Sequence, residues 1–163
     1  MKARTFAPWV EPYASPLRES RERVIAFGKA LPREAWDQPS PLDGWSYKDV
    51  LAHIGKGNDQ VFQKLLRGVI ADGRIDTKIF AVDTDGDNAR GVEERRDTSA
   101  EDLIAELEAA GEEIQELLSQ LNPEHEKLQQ QDPLFHFEGF LRGVRKENHD
   151  MEHFAQLQKA AKS

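Results

Sequence analysis

Apolar residues recur at intervals of three and four along four stretches of the chain, which is the spacing of amphipathic α-helices. The first stretch is predicted to begin near Ser15-Pro16, a cap residue followed by a proline suited to the first helical turn, and to end at Pro32. The second is predicted to begin at Ser46, with Asp49 in its first turn as in a capping box, and to run to about Arg67.

The other two helices are predicted in the second half of the chain. The third opens at Thr98 or Ser99, carries the clearest amphipathic pattern, and ends at Asn122-Pro123. The fourth is predicted from Asp132-Pro133 to about Ala160. No stretch alternates with period two for long enough to predict a sheet.

The connection between the second and third helices is the least regular part of the chain. Residues 68–97 are predicted to form a long linker, and a loop of that length in a small domain is often functional. Four helices of similar length favour an all-α fold, an antiparallel four-helix bundle. We predict a single domain over residues 1–163, with its core at about 15–160.

Composition narrows the classes of function. The net charge of −8 argues against a nucleic acid as the main partner. No run approaches the roughly 20 apolar residues of a membrane span, so no membrane partner is expected. Residues 1–12 lack the apolar core of a signal peptide, and we expect a cytoplasmic protein. The absence of cysteine excludes disulfides, thiolate metal sites and a cysteine nucleophile of the chain's own.

Two histidines stand four residues apart on the predicted last helix. This spacing places the imidazoles of His149 and His153 on one face, one turn apart, close enough to share a metal ion. At 100° per residue the pair points away from the apolar side of its helix. It therefore faces either open water, as an ordinary solvated pair, or a polar cavity between helices.

The remaining three histidines differ in setting. His53 lies on the flank of the apolar stripe of the second helix, and Gly57 follows one turn later and leaves space beside it. His125 and His136 have no partner at a ligand spacing, so we interpret them as surface or boundary residues.

Two segments, in this order, carry a family resemblance. The segment Gly44–Ile54 (GWSYKDVLAHI) resembles the start of the second helix in the DinB/YfiT-like family of small four-helix metalloproteins, where a Trp-Ser/Thr cap precedes the first metal histidine. The segment His149–Leu157 (HDMEHFAQL) is similar to the last-helix motif of that family. The family motif often has a further histidine just before its last ligand, and Glu152 stands there in this chain.

The resemblance implies a divalent metal, typically zinc or nickel, held by His53, His149 and His153. Three protein ligands leave a position open for a water or for a low-molecular-weight thiol cosubstrate, which this cysteine-free chain would need from outside. The leading expectation is thus a metal-dependent hydrolase or thiol S-transferase that acts on a reactive small molecule, as in detoxification. Glu152 is then a candidate acid/base.

Residues that lie near His53 or in the long linker are candidates for contacts with a substrate. Asn58 and Asp59 lie one turn beyond His53, although solvated polar residues are the ordinary alternative. Arg90, Arg95 and Arg96 lie in or next to the long linker, and Arg90 is the arginine we select to hold an anionic group of a substrate.

Two other functions fit the same residues. The first is a protein that binds or sequesters a metal or ligand in a stress response without turnover. The second is an isomerase related to the mycothiol-dependent maleylpyruvate enzymes, which share the helix-two signature but have a last ligand pair less like that of this chain. The apolar bands of the first and third helices are broad enough for a homodimer interface.

Overall fold

The computed structural model describes residues 2–40, 44–55, 59–74, 84–128 and 149–160. The described residues form an all-α bundle, which confirms the predicted fold class. They contain the helices α1 (Glu11–Ala30), α2 (Tyr47–His53), α3 (Asp59–Asp72), α4 (Thr84–Glu93), α5 (Ala100–Ser119), α6 (Pro123–Glu126) and α7 (His149–Ala160). Helix α5 packs against α1 and α3, α7 packs against α1, and α2 contacts α4 and α5.

Helix α1 begins four residues before its predicted start. Its first turn is stabilised by burial, since Val10 and Ala14 are fully buried and Tyr13 nearly so. Pro16 consequently lies inside the helix rather than in its first turn, which Pro12 occupies instead. The preceding residues Phe6 and Trp9 pack against the same part of the core, so the N-terminal segment folds back on the bundle.

The predicted second helix is described in two parts, because residues 56–58 lie outside the described residues. Helix α2 ends at His53, residues 54–55 form a π-helical turn, and α3 then runs from Asp59 to Asp72, beyond the predicted end. The predicted start at Ser46 is confirmed by a capping box. The Ser46 hydroxyl accepts a hydrogen bond from the backbone N–H of Asp49, and the Asp49 carboxylate accepts a hydrogen bond from the backbone N–H of Ser46. Single π turns inside helices are frequent at functional sites.

The predicted linker also contains regular structure. Helix α4 occupies residues 84–93 and packs against α2, and the Lys48 ammonium donates to the Arg96 carbonyl at 2.6 Å. Helix α5 is capped by Ser99, which accepts from the Asp102 backbone N–H, so Ser99 is the correct choice of the two predicted caps.

The last helix can be compared with its prediction only in part. Helix α7 begins at His149 among the described residues, and the predicted portion 132–148 lies outside them. Helix α6 follows directly after the predicted stop at Asn122-Pro123, where Asn122 is its N-cap.

Two buried clusters form the described core. One lies between α1, α3 and α5 and has Leu65, Leu66 and Leu118 at its centre. The other joins α1, α2, α5 and α7 through Leu51, Ile54, Leu107 and Leu157 among others. The second cluster contains residues of both α2 and α7, the helices that carry the candidate histidines.

Removal of the α2 cap has a predictable cost. We expect Ser46→Ala to lower the free energy of unfolding by about 1 kcal/mol, because the backbone N–H of Asp49 loses its acceptor. Urea unfolding followed by circular dichroism measures this. Ser99→Ala removes the equivalent cap of α5 and should lower the free energy of unfolding by a similar amount. An Ser46→Ala protein as stable as the wild type would show that the cap contributes nothing.

Candidate metal centre

His53 and His153 meet between α2 and α7. Their ring centroids are 4.8 Å apart and the ring planes are nearly perpendicular, at 88°. Both residues are buried, with 6% and 8% of their surface exposed. Of the two orientations that periodicity left open for the last helix, open water is therefore wrong for His153. Two imidazoles more than 90 residues apart in sequence thus share one buried position.

Local structure explains the placement of His53. Gly44 has a positive φ of 81°, which a residue with a side chain rarely adopts, and turns the chain into the Ser46 cap. The cap starts α2, whose Val50, Leu51 and Ile54 are buried in the core. His53 is the last residue of that helix, and the ring of Trp45 lies 4.9 Å from its ring, tilted by 59°.

The core also holds α7 in place beside α2. Leu157 is fully buried, and the ring of Phe154 meets Phe27 of α1 edge-on at 6.1 Å. Leu157 lies one turn after His153, so the contacts that dock α7 also present His153 to His53.

Arg21, Asp59 and Asp150 form a buried ionic triad, and its two carboxylates lie close in sequence to His53 and His153. The Arg21 guanidinium of α1 donates two hydrogen bonds to the Asp59 carboxylate of α3, both at 2.8 Å, and two to the Asp150 carboxylate of α7, at 2.6 and 3.1 Å. A fifth bond reaches the Leu107 carbonyl of α5 at 3.1 Å. All five N–H donors of the guanidinium are therefore used.

Two carboxylates share one guanidinium in this triad. Burial raises the pKa of Asp59, and the Asp150 charge raises it further, against the lowering effect of Arg21. Burial alone lowers the pKa of Arg21, but the carboxylates of Asp150 and Asp59 outweigh it, so that the pKa lies above its ordinary value and the guanidinium stays charged. With two carboxylates for one guanidinium, the interior of the triad therefore disfavours the charged form of Asp59.

The donor set of the pair suits a transition metal. Imidazole is a ligand for zinc, nickel, copper and iron, and it does not suit calcium or magnesium. Two imidazoles bound to one zinc ion at about 2.1 Å have ring centroids roughly 5 Å apart, close to the separation found between His53 and His153. Among the described side chains no cluster of three potential ligands occurs. The third predicted ligand, the side chain of His149, lies outside them.

The other sequence-predicted site residues fall into three groups. Asn58 and the side chain of Glu152 lie outside the described residues, as does His136. Arg90 is exposed on α4. His125 is half-buried, and its Nδ1 accepts the backbone N–H of Asn122 at 3.1 Å, a capping contact consistent with the boundary role we predicted.

Besides Asp150 of the triad, three residues of this region were missed or misjudged from sequence. Asp59, for which solvation was the ordinary alternative, is 4% exposed and paired with Arg21. Arg21 was not selected, although it stands four residues after Leu17 and three before Val24, on the apolar side of α1. The signal that could have identified Arg21 is a single charged residue on the apolar face of a helix, because a buried arginine is almost always paired with a carboxylate. Trp45 was quoted only as part of a motif.

A cavity of about 410 Å³ lies between the start of α2 and α4. Trp45 lines it on one side and Val92 of α4 on another, with charged side chains around the rim: Asp37, Lys48, Asp49, Glu93 and Arg96. Trp45 also contacts His53, so this ring connects the cavity lining with the buried pair. The linker does supply an arginine here, Arg96, which also forms an ion pair with Glu93.

Comparison with known proteins identifies a family. Residues 17–134 match the family model described as the mycothiol maleylpyruvate isomerase N-terminal domain. The match covers most of the chain, and the chain belongs to this family. It includes His53 and ends before His149 and His153. No curated protein and no solved structure matches the chain significantly. In the described part of the chain, no helix has the length and apolar character that crossing a bilayer requires.

Proposed function

We propose that this member of the mycothiol maleylpyruvate isomerase N-terminal domain family binds zinc or nickel through His53, His149 and His153 and activates a low-molecular-weight thiol toward a reactive small molecule. The observation that carries the proposal is the buried contact between His53 and His153, which α2 and α7 bring together. Buried histidines on separate helices, with compatible ring spacing, are typical of a shared metal ion.

The family favours a thiol over water as the activated group. When bound, a divalent metal with three imidazole ligands offers an open position and deprotonates a thiol that coordinates there. The chain has no cysteine, so the thiol must come from solution. The cavity next to Trp45 has the volume for a small molecule, and its mixed rim of cations and carboxylates suits a polar ligand.

The chain's own residues would orient the reactants. Trp45 lines the cavity and contacts His53, so it would place an apolar surface beside the reacting sulfur and limit water there. Arg96 lies at the rim, where a guanidinium pairs with a carboxylate of the electrophile. Glu152 precedes His153 and is the candidate acid/base for the proton that leaves the thiol.

A thiol-dependent isomerase is the second candidate. It is favoured by one observation, the family match over residues 17–134, and it uses the same metal and thiol. Maleylpyruvate incubated with the protein and a thiol distinguishes the two candidates, since the isomerase forms fumarylpyruvate and regenerates the thiol. A transferase consumes thiol and electrophile in equal amounts.

The proposal is tested by turnover with and without metal. We expect protein loaded with zinc or nickel to consume thiol and electrophile over many cycles, and chelator-treated protein to do so only after the metal is restored. Binding of a ligand in a one-to-one ratio without product would instead indicate sequestration. A rate unaffected by chelation would contradict metal activation of the thiol.

Arg96 and Arg90 form a matched pair for the substrate contact. We expect Arg96→Ala to raise KM for a carboxylate-bearing electrophile roughly two- to fivefold, the range for loss of one exposed ion pair, with kcat little changed. Arg90→Ala removes the same charge from a residue outside the cavity lining and should behave as the wild type. A larger effect at Arg90 would support the choice made from the sequence.

A further inference from the structure

We infer that Arg21 is a positioning residue for the histidine site, which fixes the rotation of α7 through Asp150 and thereby aims His153 at His53. This inference rests on the proposed metal centre and adds to it a residue that belongs to none of the motifs. Arg21 is 6% exposed and Asp150 is 5% exposed, so the contact between them is made in the interior of the bundle.

The guanidinium connects four helices at one point. Arg21 belongs to α1, and its five hydrogen bonds reach Asp59 at the start of α3, Leu107 in α5 and Asp150 in α7. A guanidinium that donates two parallel bonds to a carboxylate fixes both its distance and its orientation. The two bonds from Arg21 therefore fix the orientation of the Asp150 carboxylate as well as its position.

The direction of Asp150 determines that of His153. Asp150 immediately follows His149, and His153 comes three residues later, on the adjoining part of the same helix face. A rotation of α7 that broke the bonds to Arg21 would turn His153 away from His53. On the other side of the triad, Asp59 opens α3 six residues after His53. The same guanidinium thus anchors chain segments next to both sides of the candidate site.

Stability alone gives a weak reason for this arrangement. Buried ion pairs are often replaced by well-packed apolar residues with no loss of stability, because the removal of charges from water is costly. Apolar residues, however, form no directional hydrogen bonds and would not fix the orientation of α7.

The test compares metal binding in three proteins, with cobalt(II) as the probe because its visible absorption reports ligand geometry. Asp150→Asn keeps the shape of the side chain but directs an NH2 group at an N–H donor of Arg21. We expect its cobalt dissociation constant to rise about 10- to 100-fold, as for other residues that orient metal ligands, and its absorption spectrum to change. Zinc competition then confirms the affinity change.

Leu66→Ala is the control for a general loss of stability. Leu66 is fully buried in the cluster between α1, α3 and α5 and contributes nothing to the triad, so its truncation should leave the cobalt affinity and spectrum as in the wild type. If Asp150→Asn does not fold, Arg21→Lys serves in its place, since lysine keeps the charge but lacks the planar fork.

The outcomes separate this inference from the proposed function. A wild-type protein that binds no cobalt or zinc would overturn the metal centre and, with it, the positioning role. A wild type that binds cobalt, together with an Asp150→Asn protein of equal affinity and unchanged spectrum, would overturn the positioning role alone. Equal weakening in Asp150→Asn and Leu66→Ala would likewise reduce the triad to a structural element.

Discussion

The His53→Ala protein should be isolated almost free of zinc and nickel, whereas the wild type should retain close to one ion per chain. The substitution removes a ligand rather than a residue that orients one, so the affinity should fall by more than the roughly 10- to 100-fold typical of outer-sphere partners. Elemental analysis of protein purified without an affinity tag measures the occupancy. The helical content should persist, because Val50, Leu51 and Ile54 continue to anchor α2.

His125→Ala is the matched control. It also removes an imidazole, but one that caps α6 through the Asn122 backbone and has no counterpart at a ligand spacing. Its metal content should equal that of the wild type. Unfolding experiments provide an independent measure, since a metal at 100 times its dissociation constant stabilises the wild type by about 2.7 kcal/mol and should not stabilise His53→Ala. Full zinc content in His53→Ala would show that His53 is no ligand.

Features set by local interactions were predicted well from the sequence. The capping boxes need only residues three apart, and Ser46 does start α2 as its pairing with Asp49 predicted. Helical periodicity likewise identified most of the buried stripe of α5, which includes Leu103, Leu107 and Leu118. Because these signals lie within one or two turns of helix, the sequence contains them in full.

Features set by distant contacts were predicted poorly. The start of α1 depends on the burial of Val10 and Tyr13 against other helices, which overrides the cap signal at Ser15. The linker helix α4 has only a weak amphipathic pattern and gains contacts by packing on α2. A propensity-based prediction has no access to either contact.

The candidate site combines both kinds of feature. His53 and His153 could be selected because a family resemblance supplied the pairing that sequence spacing could not. Arg21 could not be linked to its partners, since Asp59 and Asp150 are 38 and 129 residues away. A charged residue on the apolar face of a helix indicates that a partner of opposite charge exists, but only the fold identifies which carboxylates are the partners.

Replacement of that charge should cause the largest loss of stability among the single substitutions considered. Arg21→Met leaves Asp59 and Asp150 buried without their cation, and we expect the free energy of unfolding to fall by about 3–5 kcal/mol at pH 7. Arg67→Met is the control, because Arg67 pairs with Glu113 at the exposed surface, where such a pair contributes about 0–1 kcal/mol. Urea unfolding of both variants measures the difference.

The loss in Arg21→Met should depend on pH with a defined sign. Burial still raises the pKa of Asp59 in the folded variant, and the loss of Arg21 removes the effect that lowered it, so the folded variant binds more protons than the folded wild type. Its stability relative to the wild type should therefore increase as pH falls from 7 toward about 4. A deficit that stays constant over this window would mean that water or another cation neutralises the carboxylates.

A triple variant separates the energetic role of the triad from its directional role. Arg21→Met combined with Asp59→Leu and Asp150→Leu removes all three charges, and since apolar replacement of buried ion networks is often neutral or stabilising, we expect most of the lost stability to return. Metal affinity should not return with it, because leucine at position 150 makes no directional bond to hold α7 in rotation. If both recover together, the triad is needed only for folding.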